Sequence, residues 1–120
     1  IKTALELFPQ SKWINVPTTG FFHSGKGTAD MLGSWRGMMW WIEFKVHPNR
    51  LTKLQEYFMN QWCKLDNVRC LVITFKNSRV EVQLWYSSSA GQKEAIYRYV
   101  ELYPLSLISQ RMLTVLESFL

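Results

Sequence analysis

The nine residues MMWWIEFKV, Met38–Val46, form an apolar stretch that is interrupted only by one acid, Glu43, and one base, Lys45. Because side chains alternate between the two faces of a strand, Glu43 and Lys45 share a face with Trp41, and the opposite face is purely apolar. A charged side chain in a hydrophobic strand is costly to bury without a partner. We therefore predict a strand here, with groups nearby that compensate the two charges.

The segments on both sides of this strand predict a hairpin and a helix. Upstream, residues 29–32 are a short apolar segment, and GSWRG at residues 33–37 has the turn composition that reverses the chain into the strand. Downstream, HPN at residues 47–49 breaks the strand. Apolar residues then recur at helical spacing from Leu51 to Leu65, which predicts an amphipathic helix.

In such a hairpin, Asp30 approaches Glu43. Two carboxylates at close range repel each other unless a cation lies between them. Mg²⁺ fits this position best, because it takes oxygen ligands from one or two carboxylates plus water and substrate phosphate. Lys45 would hold the attacking water and offset negative charge on the phosphate, while the cation polarises the phosphoryl oxygen. The Glu-x-Lys triplet alone is weak evidence, because it also decorates ordinary solvated strands.

The remaining patterns predict an α/β fold, with one central mixed sheet flanked by helices. Residues 68–75 are almost continuously apolar, as in a strand covered on both faces, whereas residues 80–86 alternate as in a half-exposed strand nearer a sheet edge. Further predictions are a helix over residues 2–8, a strand over 13–16, a Gly-, Ser- and Thr-rich loop over 17–28, and helices over 90–102 and 106–119.

The positions of the tryptophans and cysteines in the pattern predict which of them are buried. We expect most of one group of tryptophans to lie in the core and two others to be exposed, where they could stack on unpaired bases. The core group is Trp13, Trp40, Trp41 and Trp62, and the exposed pair is Trp35 in the hairpin turn and Trp85 on the edge strand. Cys63 and Cys70 have neither zinc-ligand spacing nor a disulfide framework, so we expect free, buried thiols.

Length and composition restrict the class of protein. The chain has 120 residues with 48% hydrophobic content, which predicts a single domain over residues 1–120. Fourteen Lys and Arg against nine Asp and Glu give a formal charge of +5, which permits a polyanionic partner such as nucleic acid. We find neither a signal peptide pattern nor an apolar run of about 20 residues, so we expect a soluble, intracellular protein without a membrane partner.

Four stretches carry a resemblance to a known family: NVPTTG at residues 15–20, GKGTADMLG at 25–33, RGMMWWIEFK at 36–45 and LTKLQEYF at 51–58. Together they cover most of the first half of the chain. An Asp followed after about a dozen residues by Glu-x-Lys on a hairpin resembles the PD-(D/E)XK nuclease superfamily, and within it the VRR-NUC (virus-type replication-repair nuclease) family. The chain departs from the superfamily pattern in having Ala29 where Pro precedes the Asp.

The resemblance implies a restriction-endonuclease-like fold and assigns roles to several residues. Asp30 and Glu43 would bind the divalent cation, and Lys45 would assist the nucleophile. Gln55 matches a family Gln that faces the active site, although Thr52 and Gln55 also have the spacing of a capping box. Glu6 would complete the metal site, unless it is an ordinary exposed helix residue.

The same resemblance implies contacts with DNA. Lys26, between two glycines, would bring positive charge and backbone N–H groups to a phosphate, unless its segment is merely a flexible loop. Thr19 and Arg36 are the other candidates for DNA contact.

The function implied is that of a Mg²⁺-dependent DNA endonuclease, with Mn²⁺ able to substitute, of a phage or bacterial type. Small stand-alone members act as homodimers on branched DNA such as Holliday junctions, and an exposed stripe on the last two helices is our candidate dimer surface. The alternatives are a non-sequence-specific or a site-specific (restriction or homing-like) endonuclease of the same fold, and a DNA-binding module that does not cut.

Overall fold

The strand predicted at Met38–Val46 forms with those bounds and lies within a six-stranded mixed sheet. The computed structural model of the chain describes residues 5–16, 29–87 and 96–120. The strands of the sheet are β1 (Lys12–Asn15), β2 (Met31–Trp35), β3 (Met38–Val46), β4 (Val68–Lys76), β5 (Arg79–Ser87) and β6 (Ile96–Pro104).

The strands lie side by side in the order of the chain, from β1 to β6. Neighbouring strands are antiparallel except for β3 and β4, which are parallel. A parallel pair requires a crossover connection, and here it is the helix α1 (Lys53–Cys63). The predicted hairpin, the helix after it and the apolar strand at residues 68–75 are therefore confirmed.

The turn of the hairpin is shorter than the sequence predicts. It consists of Arg36 and Gly37, both with positive φ (51° and 73°), as a two-residue hairpin turn requires. Gly33, assigned to the turn from its composition, instead pairs with Trp13 within the sheet. The indole ring of Trp13 occupies the place where a side chain at Gly33 would project, so this position requires glycine.

Each face of the sheet is covered by its own hydrophobic cluster. On one face, the helix α2 (Ile108–Ser118) packs with the helical turn at Leu5 against the strands. On the other face, α1 buries Met59 and Cys63 against the strands. The apolar residues that helical spacing assigns to the buried side of α2 are indeed buried: Met112, Val115, Leu116 and Phe119. Ile108, at the start of the helix, is buried as well.

The helix predicted over residues 90–102 is wrong from Ile96 onward, where the chain forms β6. Nine residues of β6 pair with β5, so backbone hydrogen bonds to a neighbour replace those of a helix. The segment IYRYV at residues 96–100 is rich in aromatic and β-branched residues, which favour strands. The candidate dimer surface on the last two helices does not form as predicted, because residues 96–102 belong to a strand.

The two tryptophans predicted to be exposed are buried. Trp35 is 3% exposed, because its ring packs against Phe8 and Trp40 at 5.2 and 6.0 Å between ring centroids. Trp85 is 1% exposed, because β6 lies beyond β5 and α1 covers this face. Neither residue is available to stack on bases.

The tryptophans that were predicted to lie in the core do so. Trp13, Trp40 and Trp41 are buried, and the half-buried Trp62 packs against Trp41 at 5.4 Å between ring centroids. Cys63 and Cys70 are free and buried, also as predicted. Among the described residues, no helix is both long and apolar enough to cross a bilayer.

Candidate metal and catalytic site

Asp30 is fixed beside Glu43 by the backbone of the β2–β3 hairpin. The N–H of Asp30 donates to the carbonyl of Ile42 at 3.1 Å, and the N–H of Phe44 donates to Asp30 Oδ2 at 2.8 Å. These two bonds hold Asp30 against β3, because their partners Ile42 and Phe44 are the two neighbours of Glu43. The approach of Asp30 to Glu43, predicted from the hairpin, is confirmed by a hydrogen bond between the two carboxyl groups.

Glu43 is the buried member of the pair, with 4% of its surface exposed. Burial raises the pKa of its carboxyl from 4.5 to about 8, and the charge of Asp30 and the hydrogen bond to it act in the same direction. Lys45 and Gln55 lower the pKa, but by less. Without a cation, Glu43 therefore keeps its proton at neutral pH and donates a hydrogen bond to Asp30.

Lys45 follows Glu43 on the same face of β3, and its Nζ lies 3.7 Å from Glu43 Oε1. Most of its side chain is also withdrawn from solvent. A single ammonium beside two carboxyl groups leaves the cluster short of positive charge when both acids are ionised. This deficit is what a divalent cation would offset.

Gln55 makes the contacts that both interpretations require, since it caps the helix and also reaches Glu43. Its backbone N–H donates to Thr52 Oγ1 at 3.1 Å, and its Oε1 accepts from the N–H of Thr52 at 2.9 Å, which completes a capping box at the start of α1. The other end of the same amide, Nε2, donates to Glu43 Oε1 at 2.8 Å. The helix start and the buried acid are thus joined through one side chain.

Glu6 and Arg36 are the other predicted site residues that the structure describes. Glu6 is exposed in the first helical turn and does not enter the bonds that join Asp30, Glu43, Lys45 and Gln55. Its assignment as a metal ligand stays a prediction.

Arg36 is far from this cluster. It pairs with Glu117 at 3.6 Å and lies over the ring of Trp35 at 5.1 Å. Five residues of β3, Met38–Ile42, lie between the hairpin turn and Glu43, which places the turn about 17 Å away along the strand at ~3.4 Å per residue. Lys26 and Thr19 belong to residues 17–28, outside the described part of the chain.

The cluster fits one type of metal ion better than others. Within residues 5–16, 29–87 and 96–120, no three side chains of His, Cys, Asp or Glu come together. Two carboxyl groups without nitrogen or sulfur ligands match Mg²⁺, which takes its other ligands from water and phosphate. Structural zinc instead requires four ligands, usually Cys and His.

Beside Lys45, the sheet face opens into a cavity of about 410 Å³ that sequence analysis missed. Lys45 belongs to its wall, together with polar residues from β4 and β5 and residues of the segment before α1. The lining polar strand residues are Thr74, Lys76, Glu81 and Gln83. The alternation of residues 80–86 places Glu81 and Gln83 on one face, but only the pairing of β3, β4 and β5 brings that face next to Lys45.

Comparison of the chain with protein-family models, with curated proteins and with solved structures gives no match.

Proposed function

We propose that this chain is a Mg²⁺-dependent DNA endonuclease of restriction-endonuclease-like fold, related to the VRR-NUC family, that hydrolyses phosphodiester bonds. The observation behind this proposal is the hydrogen-bonded carboxyl pair of Asp30 and Glu43, with the ammonium of Lys45 3.7 Å from Glu43 and the amide of Gln55 bonded to it. The hairpin, the crossover helix α1 and the parallel strand β4 are consistent with the fold.

A purely structural role explains this cluster poorly. Burying a carboxyl group costs free energy, and placing it against a second carboxyl adds to that cost. A site that shares one proton between two acids offers oxygen ligands to a cation that replaces the proton. When bound, Mg²⁺ supplies polarisation of the phosphoryl oxygen and lowers the pKa of a water molecule.

The residues of the chain have distinct tasks in this scheme. Asp30 and Glu43 hold the cation, and the N–H of Phe44 fixes the orientation of Asp30. Lys45 orients the attacking water and offsets the negative charge that develops on the phosphate. Gln55 fixes the carboxylate of Glu43 from the opposite element, which keeps both oxygens in a defined place.

DNA is the proposed substrate, because the net charge of +5 favours a polyanion. We propose that two copies act together on branched DNA such as a Holliday junction, since the described part of the chain contains one such cluster and cutting two strands requires two. A less selective or a site-specific endonuclease would use the same cluster. A binding module that does not cut would have no need of Lys45 beside the carboxyl pair.

The test is cleavage of plasmid, flap and four-way-junction DNA in Mg²⁺, in Mn²⁺ and in EDTA. We expect Glu43→Gln and Lys45→Ala to lower the cleavage rate at least 100-fold, whereas Glu117→Gln and Lys12→Ala, which change the same residue types elsewhere, stay within twofold. Circular dichroism shows whether each variant is folded. Equal activity of the natural protein and both site variants would refute the proposal.

A further inference from the structure

The cavity beside Lys45 lies where α1 leaves the sheet face uncovered. Its floor is the paired residues of β4 and β5, with Thr74 opposite Glu81 and Val72 opposite Gln83. Thr74 is buried, and the two β5 residues are partly buried. Because Lys45 pairs with Thr74 across β3 and β4, the cavity is continuous with the carboxyl cluster. A ligand held at the cluster would extend directly into it.

The lining offers hydrogen-bonding groups in fixed positions. Trp85 Nε1 donates to Gln83 Oε1 at 2.8 Å, which orients the amide of Gln83. Lys76 Nζ lies 3.2 Å from Glu81 Oε1, so a donor and an acceptor stand side by side on adjacent strands. Fixed amide, ammonium and carboxylate groups are the types that recognise the edge of a nucleobase.

Charge and shape indicate how a ligand would be oriented. Lys45, at the carboxyl cluster, and Arg50, in the wall formed before α1, are positive and suit a phosphate. On the far side, Val100 and Leu102 pair with Gln83 and Glu81, and they are 46% and 54% exposed. Directly paired residues share a sheet face, so these two side chains give the cavity an apolar border that suits a sugar or a base.

The size of the cavity excludes a double helix. A sphere of 410 Å³ is about 9 Å across, narrower than the major groove of B-DNA alone, at about 12 Å. The volume does lie within the usual range for small-molecule sites. A single nucleotide is the unit of nucleic acid that fits this volume.

We infer that this cavity binds the sugar and base of one unpaired nucleotide adjoining the phosphate that is cut. The inference rests on the proposed nuclease function and names its substrate class, DNA with an unpaired nucleotide at the cleavage position. A base inside a duplex would have to leave its stack to enter, and this step is least costly for a base that is already unpaired. Selectivity for branched or single-stranded positions follows from the cavity, without recognition of a base sequence.

The first experiment removes the base and leaves the backbone. A splayed-arm DNA with a mapped cleavage position is prepared with an abasic residue on either side of the cut. For the natural protein, we expect kcat/KM to fall about tenfold when one of these two bases is missing. In Gln83→Ala and Glu81→Gln the intact DNA should already be cut about tenfold more slowly, and the abasic residue should cost less than a further twofold. Lys12→Ala should behave as the natural protein.

The second experiment measures binding without cleavage. ¹⁵N-labelled Glu43→Gln protein is titrated with deoxyadenosine 5′-monophosphate, with a single-stranded trinucleotide and with inorganic phosphate. We expect the amide resonances of Thr74, Lys76 and Gln83 to shift with both nucleotides and not with phosphate, and the shifts to disappear when Gln83→Ala is added.

The outcomes separate the two proposals. Suppose that cleavage depends on Glu43 and Lys45 but does not change with the abasic residue, and that no nucleotide shifts the resonances. The proposal that the cavity binds a nucleotide is then refuted, whereas the proposed nuclease function is supported. Shifts produced equally by phosphate alone also refute the proposal that the cavity binds a nucleotide, because they indicate a general anion site. If no DNA is cut, the nuclease proposal fails, and the titration still decides whether the cavity binds a nucleotide.

Discussion

Gln55 Nε2 donates a hydrogen bond to Glu43 Oε1 at 2.8 Å, and this bond connects the start of α1 to the buried acid of β3. The opposite end of the amide accepts from the N–H of Thr52, so the side chain cannot turn away from Glu43 without breaking the capping box. The orientation of the acid therefore depends on how well the helix start is formed. Separating the two bonds of Gln55 by mutation tests this dependence.

We predict that Gln55→Ala lowers the cleavage rate about 10- to 100-fold, as loss of a residue that orients a metal ligand does. It should also lower the free energy of unfolding by about 1 kcal/mol, because the N–H of Thr52 loses the side chain that completes the capping box. Thr52→Ala is the matched control: it removes the hydroxyl that caps the helix but keeps the amide next to Glu43. We expect a similar loss of stability from Thr52→Ala with less than fivefold loss of rate. Equal loss of rate in both variants would mean that Gln55 acts only through the cap.

The raised pKa of Glu43 predicts a pH dependence of stability in EDTA. The pKa is 4.5 when the chain is unfolded and about 8 when it is folded, so between these pH values only the unfolded state releases the proton. The contribution of Glu43 to stability is thus fully present below about pH 4.5 and is lost as the pH rises through about 8, on the order of a few kcal/mol in all.

Urea unfolding of the natural protein and of Glu43→Gln, at pH values from 5 to 9, measures this contribution. We expect Glu43→Gln to become the more stable of the two as the pH rises, because its amide has no proton to lose. In the difference between their free energies of unfolding, the contributions of the titrating groups that both proteins share cancel. A difference that does not change with pH would contradict the assigned burial of the acid.

Mg²⁺ binding should show the opposite pH dependence. The cation takes the place of the proton on Glu43, so its affinity should rise up to tenfold per pH unit below about pH 8 and level off above it. At pH 7, calorimetry in buffers of different ionisation enthalpy should record release of about one proton for each cation bound. Removing the metal with EDTA at pH 8 should lower the melting temperature of the natural protein. In Glu43→Gln, proton release and the effect of EDTA should both vanish.

The centre of the fold was predictable because its pattern is local. The alternation around Glu43 and Lys45 gives the faces of β3, and the short connection to Asp30 permits only an antiparallel neighbour. The capping spacing of Thr52 and Gln55 likewise lies within four residues. Each of these features involves residues that are close in sequence, whereas the contact of Gln55 with Glu43 was expected only from the family resemblance.

The features that were wrongly predicted or missed depend on distant residues. The segment at Ile96 has both helical and strand character, and only the long antiparallel pairing with β5 decides between them. Trp85 is buried because that same strand lies beyond it and α1 lies above it, which no pattern near Trp85 records. The cavity is also invisible in sequence, since Lys45, Thr74 and Gln83 come from three strands.

Gly33 provides the last prediction, which links the edge of the sheet to the site. A side chain at this position would overlap the ring of Trp13, which extends from the neighbouring strand β1 over Gly33. We expect Gly33→Ala to lower the free energy of unfolding by about 3 kcal/mol, the upper part of the range for overpacking. Gly37→Ala is the matched control: it has open space around it and only the cost of a positive φ, about 1 kcal/mol.

Gly33→Ala should also weaken the binding of Mg²⁺ at the carboxyl pair. The carbonyl of Asp30 accepts from the N–H of Val16, so a displacement of β2 from β1 would move the carboxyl away from Glu43. We therefore expect Gly33→Ala, assayed at a temperature where it is folded, to weaken Mg²⁺ binding several-fold, whereas Gly37→Ala at the far end of the hairpin leaves it unchanged. Urea unfolding and calorimetry measure the two effects. A Gly33→Ala protein with natural stability and Mg²⁺ affinity would show that the Trp13 ring moves aside at no cost, and that the position of Asp30 does not depend on this packing.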